Sequence, residues 1–99
     1  LHYTSAKGAI LAMTRSLAAE LGGDGIRVNT AAYGLVTSQL NEEQFAGDPE
    51  FEAKVLGSRA LPVHYRAEDL GPTIVYLASA DSDHMTGQCM VVNAGESFY

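Results

Sequence analysis

Two short apolar segments, separated by a long and mostly helical stretch, constrain the fold of this chain more than any other feature. Residues 26–32 and 88–92 each have the length and apolar character of a strand that is buried on both faces. A connection much longer than a hairpin joins strands that run parallel, with a right-handed crossover. We therefore expect an α/β architecture in which both segments belong to one parallel sheet.

A helix is expected before the first strand. Over residues 4–21 apolar side chains recur at spacings of three and four, the pattern of one helical face, formed by Ala6, Ile10, Met13, Leu17 and Leu21. The glycine-rich residues 22–25 are expected to end this helix in a left-handed cap. Two strands make too small a sheet to be stable alone, and no strand precedes the helix. The chain is therefore expected to be the trailing half of a doubly wound domain.

The connection between the strands begins with the acidic residues 38–60. They predict two short helices, one opened by a capping box of Asn41 and Gln44, the other by Asp48 followed by Pro49. A long excursion from the carboxyl end of a strand suits a lid or a substrate wall, whereas local packing or a subunit contact is the alternative. The residues alone leave both open.

A third helix of the connection is expected to open at residues 68–69. It places Leu70, Ile74 and Leu77 on one face, and residues 80–83 close it before the second strand. This helix completes the predicted order of helix, strand, helical crossover and strand.

Composition narrows the classes of function. The net charge is −6, from six Lys and Arg against twelve Asp and Glu, and an acidic chain without a basic stripe argues against nucleic acid or a membrane as partner. The single Cys89 lies in an apolar run, which predicts a buried thiol and suits a reducing cytoplasm. His2, His64 and His84 are scattered without ligand spacing, so no metal site is expected.

Two places carry candidate chemistry. Tyr3 and Lys7 are four residues apart, so a helix places them on one face with Cβ atoms about 5–6 Å apart. A nearby ammonium stabilises a phenolate, which lets the phenol pass a proton to or from a substrate oxygen. Residues 33–37 follow the first strand, where ligands bind in open α/β sheets. For Tyr3 and Lys7, the alternative is a tyrosine at a helix start beside a solvated lysine. For residues 33–37, the alternative is a plain turn from strand to loop.

Several motifs in this order resemble the short-chain dehydrogenase/reductase family. They comprise Tyr3-x-x-x-Lys7, the alanine-rich helix with residues 15–21, residues 25–29, Gly34-x-Val36, residues 77–79, residues 86–88 and the turn near Gly95. The resemblance implies that residues 1–99 form the C-terminal half of one Rossmann-type dinucleotide-binding domain. Such a subunit binds NAD or NADP and moves a hydride between the nicotinamide and a small alcohol or ketone.

The resemblance also implies roles for particular residues. Tyr3 would be the general acid/base, and Lys7 would assist it and hold the ribose hydroxyls of the cofactor. The other implied contacts are Gly34, Val36 and Thr37 for the cofactor, Tyr33, Leu35 and Leu40 for the substrate, and residues 38–60 as the substrate-binding loop or lid. Tyr33 stands where the family usually has proline, and residues 93–95 stand where it usually has Asp-Gly-Gly.

The partners follow from the same resemblance. The glycine-rich pyrophosphate turn, the residue that selects NAD or NADP, and the catalytic serine and asparagine would belong to a missing N-terminal half. A cytoplasmic homodimer or homotetramer is expected, and the isolated chain is expected to be unstable and inactive. The alternatives are a non-catalytic relative that binds a dinucleotide, and an inactive fragment that acts only as an interaction module.

Overall fold

The computed structural model describes residues 1–38 and 41–98, and they divide into two compact units. The first unit comprises Leu1–Ala31 and Thr73–Met90, and the second comprises Ala32–Pro72 and Val91–Tyr99. In chain order the elements are α1 (His2–Leu21), β1 (Thr30–Tyr33), β2 (Val36–Thr37), α2 (Glu42–Gly47), α3 (Pro49–Gly57), β3 (Tyr65–Arg66), α4 (Gly71–Ala78) and β4 (Cys89–Val92). None of the helices in these described ranges is long and apolar enough to cross a membrane.

Helix α1 confirms the first predicted element and begins two residues earlier than the apolar pattern indicated. Its end differs in detail from the expected cap. Gly22 keeps a right-handed conformation and opens a short 3-10 turn over Gly22–Asp24, and Gly25 is the residue that turns left-handed, at φ 75°. Gly25 suits this position because it has no Cβ to clash with the backbone.

The buried side of α1 is not its apolar stripe. Ile10 and Met13 are 39% and 55% exposed, whereas Thr14 and Ala18 are buried. The Thr14 hydroxyl donates to the Ile10 carbonyl and accepts a hydrogen bond from the Thr30 hydroxyl, so its polarity is satisfied inside the unit. Within the described residues, Ala6, Ile10 and Met13 of the apolar stripe are thus exposed, whereas Leu17 and Leu21 are half-buried.

Strands β1 and β4 pair in parallel, as predicted. The Thr30 amide donates to the Gln88 carbonyl, and four residues further on the Gly34 amide donates to the Val92 carbonyl. The predicted start of the first strand at residue 26 is wrong. Just before β1, the Asn29 side chain donates to a backbone carbonyl and accepts from the Gln88 amide, so a side-chain bridge replaces the regular ladder there.

The second unit adds a second pair of strands that the sequence did not predict. Val36 lies opposite Tyr65 and Thr37 opposite Arg66, in parallel register. A strand of two residues is too short to show an alternating pattern, so periodicity could not find it.

Helices α2 and α3 confirm the two short helices predicted after residue 38. Asp48 caps α3 as predicted, because its Oδ1 accepts a hydrogen bond from the Phe51 amide at 3.0 Å. The capping box predicted at Asn41 is wrong. Asn41 makes no side-chain bond to α2, and instead its amide group donates to the Val36 carbonyl.

The remaining predictions concern the last helix and strand. A 3-10 turn over Ala67–Leu70 leads into α4, which confirms a helix close to residue 68 although its α-helical part begins at Gly71. The prediction of a buried thiol is wrong, because Cys89 is exposed. Residues along β4 alternate between exposed and half-buried, so Cys89 and Val91 share a face that the described residues leave exposed.

Candidate active site

The first turns of α1 carry the tyrosine and lysine that the sequence singled out. Helix α1 begins at His2, and the Ser5 amide donates to the Leu1 carbonyl at 2.9 Å, so the helical spacing holds from the first turn. The Lys7 ammonium lies 5.4 Å from the centre of the Tyr3 ring. The predicted common face is therefore confirmed.

This pair is accessible to a ligand. Tyr3 is 67% exposed, and the ammonium lies over its ring in a cation–π contact, which at exposed sites contributes about 0.5–1 kcal/mol. The contact holds a positive charge beside the phenol without occupying the hydroxyl. The arrangement therefore places a phenol and a cation side by side on the exposed face of α1.

The loop after β1 is packed tightly against the turn after β4. A Cβ at Gly34 would lie 3.0 Å from Oε2 of Glu96 and 3.3 Å from Cα of Asn93, so a larger residue there displaces one of them. The Tyr33 hydroxyl donates to the Leu70 carbonyl at 3.0 Å, which supplies a tether where the family usually has proline. Gly34 is thus required by a close approach of backbone and side chains.

The Thr37 hydroxyl could form a hydrogen bond to a ligand. Its Oγ1 atom is buried and has no hydrogen-bond partner among the described residues. Thr37 lines a shallow pocket of about 210 Å³ in the second unit, together with Glu42, Phe45, Ala46, Glu52, His64 and Arg66. A buried hydroxyl without a partner costs about 1–3 kcal/mol, so a polar ligand group that satisfied it would be stabilised there.

Helices α2 and α3 form one wall of this pocket. Phe45 is buried, and its ring lies 5.2 Å from the Phe51 ring and 5.5 Å from the edge-on His64 ring. His64 Nε2 lies 2.9 Å from Oε1 of Glu52, which ties α3 to the segment before β3. The predicted lid is therefore anchored by local packing. Leu40, predicted to contact substrate, lies outside the described residues.

Arg59 is a residue that sequence reasoning missed. Its side chain has no exposed surface, and its Nη2 donates to the Leu35 carbonyl at 2.8 Å while Nη1 donates to the Val63 carbonyl at 2.7 Å. Glu96 Oε2 lies 3.6 Å from its Nε atom. The sequence shows Arg59 directly before the mostly apolar residues 60–63. This position is consistent with a buried arginine, but it does not identify the carbonyls that Arg59 binds.

The predicted site residues fall into two groups, each assembled within its own unit. Tyr3 and Lys7 belong to the first unit; Tyr33, Gly34, Leu35, Val36 and Thr37 belong to the second. Leu35 is 42% exposed, and Val36 and Thr37 are half-buried in β2. The first group is a phenol and a cation on one helical face, and the second is a tightly packed loop followed by the buried hydroxyl of Thr37.

Comparison with known proteins identifies close similarity along nearly the whole chain. Residues 1–97 match the family model described as Enoyl-(Acyl carrier protein) reductase. The chain is 40% identical over 97 residues to the glucose and ribitol dehydrogenase homolog of Oryza sativa subsp. japonica, covering 96% of this chain and 31% of that protein. It is 36% identical over 96 residues to the inactive 2-(S)-hydroxypropyl-CoM dehydrogenase 2 of Xanthobacter autotrophicus, covering 94% of this chain and 42% of that protein.

Solved structures share the fold as well. A 4-hydroxyisoleucine dehydrogenase complexed with NADH superposes with a TM-score of 0.88 at 27% identity, covering 96% of this chain and 39% of that one. The partial parallel sheet described above therefore matches part of a larger doubly wound, Rossmann-type sheet. The chain spans less than half the length of each of these proteins.

Proposed function

This chain belongs to the short-chain dehydrogenase/reductase family, and on that basis we propose that it forms the C-terminal half of an NAD(P)-dependent oxidoreductase acting on a small alcohol or ketone. The observation that carries the proposal is the Lys7 ammonium held 5.4 Å from the centre of the exposed Tyr3 ring. NADH in the structural neighbour named above, and the dehydrogenase names of the relatives, support the cofactor class.

Tyr3 and Lys7 perform the proton chemistry in this proposal. When bound, the nicotinamide supplies or accepts the hydride at the substrate carbon. In reduction the Tyr3 phenol donates its hydroxyl proton to the carbonyl oxygen and becomes a phenolate; in oxidation the Tyr3 phenolate takes the proton of the alcohol and becomes a phenol. Lys7 stabilises the phenolate form and binds ribose hydroxyls of the cofactor.

The loop after β1 provides the contacts to the cofactor. Gly34 lets the backbone lie close to its neighbours, and Thr37 offers the buried Oγ1 atom that has no partner among the described residues. The backbone amide of Val36 is assigned to the carboxamide of the nicotinamide. Tyr33, Leu35 and Leu40 are assigned to the substrate side, with residues 38–60 as its wall. The Tyr33 hydroxyl already donates to the Leu70 carbonyl, so its ring is the part available to a substrate.

The chain is complemented by an N-terminal half that supplies the pyrophosphate turn, the serine and the asparagine. We call this chain together with that half, in one polypeptide or two, the assembled enzyme. Support comes from the share of the relatives that the chain covers, 31–42% of their lengths. The assembled enzyme is taken to be a cytoplasmic homodimer or homotetramer.

Replacing the proposed proton donor tests this function. In the assembled enzyme, Tyr3→Phe is expected to lower kcat for a panel of small alcohols and ketones by about 10²–10⁴-fold, because general acid–base catalysis is lost. Binding of NADH or NADPH, followed by fluorescence of the reduced nicotinamide, is expected to persist. Tyr76→Phe, at an exposed tyrosine of α4, is the matched control and is expected to keep its turnover.

A second candidate function is dinucleotide binding without catalysis. The similarity to a relative named inactive favours it. Under that alternative, Tyr3→Phe leaves any residual turnover unchanged while the cofactor still binds. The third alternative, an interaction module, predicts that neither NADH nor NADPH binds to the assembled enzyme.

A further inference from the structure

We propose that Arg59 is a positioning residue for the cofactor-facing loop, with Glu96 as its counter-charge and Gly34 as the residue that makes room for that charge. The inference rests on the proposed function of residues 34–37, but its geometry lies entirely within the second unit. No contact of Arg59 with the substrate or cofactor is required.

The burial of Arg59 is the first observation. Its side chain is fully buried, and removing a cation from water is unfavourable by several kcal/mol unless its charge and donors are satisfied. Its two terminal nitrogens each donate to a backbone carbonyl, and its guanidinium carbon lies 5.0 Å from the centre of the Tyr65 ring. The buried guanidinium of Arg59 therefore binds specific backbone carbonyls, and these contacts offset the loss of its hydration.

The atoms that Arg59 holds belong to two separate segments of the second unit. Leu35 lies between Gly34 and Val36 in the loop after β1, and its carbonyl accepts from Nη2 at 2.8 Å. Val63 precedes the segment that forms β3, and its carbonyl accepts from Nη1 at 2.7 Å. One rigid, planar guanidinium therefore fixes the distance between the loop and the strand paired with β2.

Glu96 completes the arrangement from the turn after β4. Its Oε2 lies 3.6 Å from Nε of Arg59, and Nε has no hydrogen-bond partner in the part of the chain that the structure describes, so the attraction is ionic. The same oxygen would lie 3.0 Å from a Cβ at residue 34, closer than an ordinary van der Waals contact. Gly34 thus lets the carboxylate keep this position beside the guanidinium without a shift.

The turn that carries Glu96 is itself fixed to the arginine segment. The Leu61 amide donates to the Ala94 carbonyl at 2.9 Å, and the Gly95 amide donates to Oδ1 of Asn93 at 3.0 Å. The segment that carries Arg59 and the turn that carries its counter-charge are therefore linked by a backbone hydrogen bond as well as by the ionic contact. Loss of the guanidinium is expected to release the Leu35 carbonyl first, since that carbonyl belongs to the loop.

The test compares two arginines of the assembled enzyme that both donate to backbone carbonyls. Arg59→Met is expected to raise the Kd for NADH or NADPH, whichever binds more tightly, by about 10–100-fold, the equivalent of one charged hydrogen bond. KM for the cofactor is expected to rise more than kcat falls. Hydrogen exchange of residues 33–37, measured without cofactor, is expected to accelerate.

Arg27→Met is the matched control. Arg27 donates to the carbonyls of Leu77, Ser79 and Ser82, which lie in the last turn of α4 and in the turn that follows it, and not in the loop after β1. This variant is expected to lose thermal stability while its cofactor Kd and the exchange of residues 33–37 stay unchanged. If Arg59→Met and Arg27→Met raised the cofactor Kd equally, Arg59 would only stabilise the fold in general, and the proposal would be overturned.

Two milder variants keep the proposal testable if Arg59→Met does not fold. Arg59→Lys keeps the charge but not the planar fork, so its cofactor Kd is expected to lie between those of the unaltered enzyme and Arg59→Met. Glu96→Gln removes only the counter-charge and is expected to raise the Kd less than Arg59→Met does. Unchanged Kd and unchanged exchange of residues 33–37 in both would refute the assignment. Failure of the unaltered enzyme to bind either dinucleotide would instead refute the proposed function, and the exchange data would still decide whether Arg59 holds the loop.

Discussion

At the scale of single residues, the turn after β4 shows how backbone geometry constrains the side chains around it. Ala94 adopts a left-handed conformation at φ 55°, which is unfavourable for a residue with a Cβ, and Gly95 follows at φ 75°. Hydrogen bonds from Ala60 and Leu61 to the carbonyls of these two residues hold the turn in place. Glu96 follows this turn directly, and its Oε2 lies 3.6 Å from Nε of Arg59.

Gly95 offers a prediction at this scale. A Cβ there would lie 2.7 Å from Cβ of Ala60, in a left-handed backbone, so Gly95→Ala is expected to lower the free energy of unfolding by about 1–3 kcal/mol. Urea denaturation of the assembled enzyme measures it. Gly57→Ala is the control, since a Cβ at that position would meet no described atom within 4 Å and a helical alanine is expected to add roughly 0.5–1 kcal/mol. Equal effects of the two would contradict the strain argument.

At the scale of elements, the short helices α2 and α3 depend on aromatic packing around Phe45, and α3 depends also on the cap at Asp48. Helices of six and nine residues are too short to be stable in isolation. Phe45 joins the two through Phe51 and reaches His64 in front of β3. The wall of the pocket therefore persists through packing and capping.

The cap of α3 gives the corresponding prediction. Asp48→Ala removes the hydrogen bond from the Phe51 amide and is expected to lower the free energy of unfolding by about 1 kcal/mol, with faster hydrogen exchange in residues 49–53. Glu50→Gln, which removes only a charge in the same turn, is expected to lower it by about 0.3–1 kcal/mol. A larger loss from Glu50→Gln than from Asp48→Ala would show that charge, and not the cap, stabilises this helix start.

At the scale of the whole molecule, little apolar surface is buried within the chain itself. Among the described residues, Ala18 and Phe45 are the hydrophobic side chains that are buried. Met13, Ile74 and Val75 remain 55%, 51% and 67% exposed, although each is an apolar side chain on a helix. Burying such side chains contributes roughly 1.5–3 kcal/mol each, so a folded state of this chain alone lacks most of its driving force.

The isolated chain is therefore expected to unfold without a cooperative transition and to bind a dye specific for exposed hydrophobic surface. Circular dichroism during urea titration, with dye fluorescence on the same sample, checks this. The assembled enzyme is the control and is expected to show one steep transition. Steep unfolding of the isolated chain as a monomer would favour the interaction module instead.

The sequence by itself determined which segments become helices, the parallel pairing of the two longer strands, the cap at Asp48 and the common face of Tyr3 and Lys7. These depend on neighbours within about one or two turns, or on the connection length, which a single sequence displays. Only the tertiary structure decided the pairing of β2 with β3, the exposure of Cys89 and the hydrogen bond from the Asn41 amide group to the Val36 carbonyl. The tertiary structure alone brought Arg59 together with Leu35, 24 positions away, and with Glu96, 37 positions away. Such contacts depend on how the backbone folds back on itself, and they leave no periodic pattern in the sequence.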